Sequence, residues 1–226
     1  NFNNTGTLAR FLGRKRGRAY DYHAEIAFTL NDDDRFGIAT FSAYPIVSRG
    51  VIAFTKKSQN ICIYSDLLLG SDTVRIYNTH LQSIKFRPED YDFIEQKQAA
   101  NKEEEIRGSG RIIKRLKRAS VIRAAQADML AAHIRACPYP VILCGDFNDP
   151  PPSYTYHTLA ENLQDAFMQS GRGFGKTYIG TFPSFRIDYI LHSKEFSSSG
   201  YETIREKLSD HYPVGCMIRK TVRSNQ

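Results

Sequence analysis

The chain reads as an α/β protein, and three observations lead there. Residues Arg111–Ala136 carry an amphipathic pattern in which Ile113, Leu116, Ser120, Ala124, Ala127, Leu130 and Ile134 recur at spacings of three and four. That helix hands over, past Pro138 and Pro140, to Val141–Cys144, a short apolar run that reads as a buried strand before Gly145. Further strand candidates lie on both sides of the helix.

In chain order, the first two dozen residues are basic and turn-rich, and no element is expected there. His23–Leu30 alternates Ala24, Ile26 and Phe28 in the period of a strand, and Asn31–Asp34 follows as a solvated turn without the spacing of a calcium loop. Gly37–Ser42 and Val51–Thr55 are the next strands. Ile61–Leu69 and Thr73–Thr79 form a hairpin joined by Gly70-Ser71-Asp72. Residues 82–110 turn charged and poor in β-branched types, and are expected to be an insertion or a helix with a flexible end at Gly108-Ser109-Gly110. After the long helix and its strand, Tyr154–Ala160 reads as a short helix, and Phe185–Leu191 and Val214–Ile218 as strands. With no repeat or linker visible, 1–226 is read as one domain, of a size that allows a substantial core.

Composition narrows the classes. Hydrophobic residues at 41% and charged ones at 24% describe a globular chain, and no run approaches the roughly 20 apolar residues of a membrane span. The formal net charge of +7 favours an anionic partner. Cys62, Cys137, Cys144 and Cys216 form no metal-type pair and read as free thiols. The chain opens Asn1-Phe2-Asn3-Asn4 without an initiating methionine, so an N-terminally truncated fragment is expected. Localisation is left open and a monomer is expected.

The polar residues cluster at strand ends. Asp146 and Asn148 follow the Val141 strand on one side of the pleat, at the rim where open α/β sheets place chemistry, although an ordinary Asp/Asn turn has the same look. Thr79-His80 closes another strand. Asp188 sits within an apolar strand, where a lone charge is costly and a histidine is its natural partner; pairing with Arg186 or a distant lysine is the alternative. Ser209-Asp210-His211 precedes the last strand. Gly171-Arg172-Gly173-Phe174-Gly175-Lys176-Thr177 lacks the first glycine of a phosphate loop, with Ser170 in its place, and reads as a flexible loop near the site.

In order, Asn78-Thr79-His80-Leu81, Gly145-Asp146-Phe147-Asn148, Arg186-Ile187-Asp188-Tyr189-Ile190 and Ser209-Asp210-His211 resemble the endonuclease/exonuclease/phosphatase superfamily, over most of the chain. The resemblance implies a four-layer α/β sandwich of two mixed sheets flanked by helices, here without its first strands. It implies phosphoester hydrolysis with Mg²⁺ or Mn²⁺. Asp146 would orient or deprotonate water, and Asn148 would fix water and phosphate. His211, aligned by Asp188, would stabilise charge on the phosphate, His80 would donate to a non-bridging oxygen, and Asn78 and Arg186 would contact substrate. Asp210 would help hold the metal beside a glutamate expected upstream of Asn1; Glu25 does not stand in the apolar strand that motif requires. Nucleic acid is the expected substrate. A phospholipid or inositol-phosphate phosphodiesterase, or a phosphate-binding pseudoenzyme, remains open.

Overall fold

Strand register decides where this chain puts its polar side chains. The computed structural model describes residues 5–17, 19–31, 34–55, 58–95, 102–180 and 185–221. Its centre is a mixed six-stranded sheet built from β3 (Ile46–Ile52), β4 (Ile61–Leu69), β5 (Asp72–His80), β6 (Val141–Asp146), β7 (Gln164–Asp165) and β8 (Asp188–His192), in spatial order β3-β4-β5-β6-β8-β7. Only β5 and β6 run parallel; the other pairs are antiparallel. Two smaller antiparallel sheets complete the strands, one of β1 (Asp21–Thr29) with β2 (Arg35–Ser42), the other of β9 (Phe196–Thr203) with β10 (Val214–Lys220).

Helices flank these sheets: α1 (Thr5–Arg16), α2 (Pro88–Glu95), α3 (Lys102–Arg135), α4 (Tyr154–Ala160) and α5 (Ala166–Ser170). One core joins α3 to the six-stranded sheet. Ala127, Leu130 and Ala131 from the helix meet Cys62, Tyr77, Val141, Leu143, Tyr189 and Leu191 from β4, β5, β6 and β8. Burial of this kind stabilises by roughly 25 cal/mol per Å² of apolar surface. Mixed sheets flanked by helices are the architecture the motifs imply.

Several expectations are corrected in detail. The basic start forms α1, with Ala9 buried. The third strand is Ile46–Ile52 rather than Val51–Thr55, because its pairing with β4 runs from Ile46↔Leu67 to Ile52↔Cys62. The hairpin turn is two residues long: Leu69 pairs with Asp72, and Gly70 takes the left-handed φ of +66° that glycine accepts freely. Rather than ending at 110, the charged segment enters α3 at Lys102, and the helix runs through Gly108-Ser109-Gly110. A Cβ on Gly108 would lie 2.3 Å from the Phe93 ring, so that glycine is a close-packing site between α2 and α3, not a hinge.

The buried face of α3 is also rotated from the expected stripe. Ala119, Arg123, Gln126, Ala127, Leu130 and Ala131 face inward, while Ile113 is 63% exposed and Ser120 faces solvent. An apolar-only criterion cannot find a stripe that contains a buried arginine and glutamine. β8 begins at Asp188 and not at Phe185. β7, α5 and the serine-rich β9 carry too little apolar periodicity to be expected from sequence; β9 is held by its register with β10.

The cysteines are free, and burial pushes the Cys62 and Cys144 thiols up to about 12, out of the range of a nucleophile. No helix among the described residues is long and apolar enough to cross a membrane.

Candidate active site

Three adjacent strands deliver three side chains to one row. His80 ends β5 and lies opposite Asp146 at the end of β6; Asp146 in turn lies opposite Asp188 at the start of β8. The close approach of β5 and β6 needs Gly145, whose φ is +147° and whose added Cβ would lie 1.9 Å from the Thr79 carbonyl oxygen. The fourth member, His211, comes from outside the sheet. Tyr178 and His211 form an isolated antiparallel bridge, with Ile179 N donating to Asp210 O and Tyr212 N to Thr177 O. That bridge sets the His211 ring over the row, where Nδ1 and Asp188 Oδ2 are 2.8 Å apart. Asp188 therefore pairs with histidine, and Arg186 does not compete for it.

Asn148 closes the other side. Its backbone N donates to Asp146 Oδ1 (2.7 Å), while its Nδ2 donates to Asp146 Oδ2 (2.9 Å) and to Leu81 O (3.0 Å). This geometry holds Asn148 at φ +53°, a strained conformation for a residue other than glycine. A cleft of about 230 Å³ lies over the row, bounded by His80, Asp146, Asn148, Asp210 and His211, with Tyr91 and Tyr178 at its edge.

The electrostatics follow from crowding carboxylates in a confined space. Burial, and then the neighbouring Asp188 charge, hold the Asp146 carboxyl well above the usual carboxylate range against the opposing pull of His211 and the Asn148 backbone. Burial alone would depress His211; the hydrogen bond and charge of Asp188, with Asp146 and Asp210 behind it, more than reverse this and carry it up to about 9. His80 is lowered, first by burial and then by the His211 charge. The two imidazoles are thus driven in opposite directions, His211 toward the cation and His80 toward the neutral form.

Ligand atoms of Asp146, Asp188 and His211 all lie within 4.8 Å of one another. Two facing carboxylates suit a hard divalent cation, and Mg²⁺ asks for one or two carboxylates with waters completing its shell. Asp210 is exposed on the cleft wall, beside this group and not within it.

Two expected substrate contacts are placed elsewhere. Arg186 is 3% exposed, bonded to Asp165 Oδ2 at 2.8 Å and stacked between Phe167 and Tyr189. It is a core ion pair with no face toward the cleft. Asn78 donates its Nδ2 to Ala39 O of β2 at 3.0 Å, tying a small sheet to the large one.

Three supporting residues escaped the sequence reading. Thr177, taken as part of a flexible loop, is buried, and its Oγ1 accepts from the backbone N of Ile187 and Asp188. Arg123 donates to Gln82 O and to Asp149 Oδ1, and Asp149 Oδ2 accepts from Thr155. These ties hold both loops that flank His80 and Asp146. The one sequence signal was Asp149 itself, adjacent to the Asp146/Asn148 pair.

The model of the Endonuclease/Exonuclease/phosphatase family matches residues 3–211. The chain belongs to that family. No curated protein matches it at the level of sequence. Among solved structures of this fold, an endonuclease/exonuclease/phosphatase from Bacteroides vulgatus is 16% identical, with a TM-score of 0.68 over 97% of this chain and 82% of that one. The human Nocturnin catalytic domain with bound sulfate is 19% identical, with a TM-score of 0.67 over 98% and 78%. D. rerio TDP2 complexed with single-strand DNA product is 16% identical, with a TM-score of 0.61 over 93% and 81%. Family membership makes phosphoester hydrolysis the general activity of this fold.

Proposed function

We propose that this protein hydrolyses phosphodiester bonds of nucleic acid in a reaction that depends on a divalent cation. The observation that carries the reading is the row His80–Asp146–Asp188 with His211 locked onto Asp188 over a narrow cleft. Phosphoryl transfer needs positioning and charge stabilisation more than covalent help, and this row offers both.

Asp146 is the carboxylate that orients and deprotonates the attacking water. Its raised proton affinity suits it to take a proton near neutral pH. Asn148, locked against Asp146, fixes that water and one phosphoryl oxygen. His211 stays protonated through neutral pH because of Asp188, and its free ring nitrogen donates to the oxygen where charge grows. His80, half-exposed at the cleft, donates to a second non-bridging oxygen. Asp146, Asp188 and Asp210 are the side chains that would hold Mg²⁺ or Mn²⁺, which supplies positive charge at the phosphoryl oxygen and lowers the pKa of bound water.

The preference for nucleic acid rests on the net charge of +7 and on the DNA-bound D. rerio relative. The test is hydrolysis of bis(p-nitrophenyl) phosphate and of an oligonucleotide, with Mg²⁺ or EDTA, by the protein and by Asp146→Asn. Metal-dependent cleavage lost in the variant is expected. Cleavage of phospholipid or inositol phosphates in place of oligonucleotides would reassign the substrate, and no hydrolysis of any phosphoester would leave a binding module.

A further inference from the structure

The cleft has a larger neighbour. A concavity of about 600 Å³ opens on the far side of segment 82–86, walled by that segment, by Phe54, Thr55 and Ser58 and by α3. Lys85 borders both hollows. Its backbone sits at φ +56°, and Lys85 and Asn148 are the two residues other than glycine with positive φ among those described. Arg115 holds the strained turn by donating to Lys85 O at 3.1 Å, and Lys85 Nζ reaches Gln59 Oε1. Strain of this kind, kept in place by a tertiary bond, clusters at active sites and ligand clamps.

The chemistry of the hollow is mixed in a specific way. Among the described residues no acidic side chain lines it, whereas Lys85, Arg115 and Arg118 do. Arg115 spends part of its charge on Asp90; Arg118 has no ion-pair partner among the described residues. The apolar part is Phe54, Ile122 and Met129. Gln126 also lines the wall and is 4% exposed. Its Oε1 accepts from Gln82 N at 2.9 Å, which fixes the amide, and its Nε2 donates to no described residue. An oriented amide donor within reach of the hollow, beside apolar surface and with cations at the rim, fits a flat heterocycle that carries a phosphate. An acyl chain would leave that donor unpaired.

Resting on the nucleic-acid reading above, we infer that this hollow is the subsite for the nucleotide flanking the scissile phosphate of a single strand. The strand crosses segment 82–86 over Lys85. The flanking phosphate lies between Lys85 and Arg118, and the base lies against Phe54 and Met129 with its edge toward Gln126. A base can enter such a concavity only when unstacked, so the strand is single, and the volume is that of an ordinary small-ligand site.

Binding can be measured apart from catalysis, by fluorescence anisotropy of a labelled single-stranded DNA octamer in EDTA. Ala125→Trp fills the hollow from an exposed position on its wall. It is expected to weaken octamer binding by about tenfold or more, the measure of one base contact, while bis(p-nitrophenyl) phosphate turnover with Mg²⁺ stays within about twofold. Arg118→Glu is expected to weaken octamer binding and to lower the salt slope by about one. Octamer affinity unchanged in both variants would overturn the assignment. So would equal affinity for duplex, or vesicles containing phosphatidylinositol bisphosphate bound in an Ala125→Trp-sensitive way while the octamer is not. Absence of all phosphoester hydrolysis would sink the catalytic reading through a different measurement, because the EDTA arms do not need turnover.

Discussion

Asp146 and Asp149 stand on the same strand-to-loop turn, and their surroundings differ in every respect that matters. Asp149 has both oxygens filled, by Arg123 at 2.6 Å and Thr155 at 2.7 Å, in a pocket that leaves it 6% exposed. Asp146 faces another carboxylate, with its oxygens accepting, among the described residues, only from Asn148 and with His80 Nε2 3.7 Å away. One is a satisfied buried charge that ties α3 to the loop. The other is kept under-compensated at the cleft, which raises its proton affinity and prepares it to take a proton or meet a cation. The same residue type acts as anchor or as reagent according to what the rest of the fold places opposite it.

That contrast can be broken from either side. Asp146→Asn should cost about 10²–10⁴ in kcat for phosphodiester hydrolysis, the range of a positioned base, with a melting temperature equal to or above that of the parent because a buried carboxylate repulsion is gone. A large fall in melting temperature would make Asp146 a structural residue like its neighbour.

Asp149→Ala should show the reverse emphasis. It leaves Arg123 buried without its partner, which typically costs about 3–5 kcal/mol, and a thermal or urea unfolding curve should show that loss. Any fall in activity of the folded protein should be smaller than for Asp146→Asn.

The cationic imidazole gives a pH test. His211 is raised to about 9 from an ordinary value of 6.5. The folded state therefore binds the proton more tightly than the unfolded one, and the stabilisation is complete below pH 6.5 and lost as pH rises through about 9. In metal-free protein, the stability gap between the parent and His211→Asn should shrink by about 2 kcal/mol, an order-of-magnitude figure, from pH 6 to pH 9.5. A gap that widens with pH would mean that Asp188 does not hold an imidazolium.

The smallest effect is that of Mg²⁺ on folding. A few degrees of rise in melting temperature on adding millimolar Mg²⁺, abolished in Asp146→Asn and retained in Asp149→Asn, would place the cation on the row. An equal rise in both variants would place it elsewhere.

Much of the site was legible because its residues stand at strand ends. Asp146, Asn148 and His80 each break an apolar pattern where a strand stops, Asp188 breaks one within an apolar run, and His211 stands just before the last strand, and those signals are local. Arg186 and Asn78 carried the same motif signal but point away from the cleft, one into a core ion pair and one toward β2. Arg123 was hidden for the opposite reason: on a helix rich in basic residues, nothing distinguishes the arginine that turns inward. Thr177 was hidden in a glycine-rich loop whose conformation depends on the bridge to His211.

By itself, the amino-acid sequence determined the alternation of helix and strand, the strand termini where polar residues collect, and the family those termini resemble. These are properties of neighbours along the chain, set by periodicity and by turn-forming residues. The tertiary structure alone decided that His80, Asp146 and Asp188 form one row, that Arg186 turns into the core and leaves Asp188 to the expected His211, and that segment 82–86 divides two hollows. Each of these depends on strand register or on a long-range bridge. A one-residue slip in register would send every such side chain to the opposite face of the sheet.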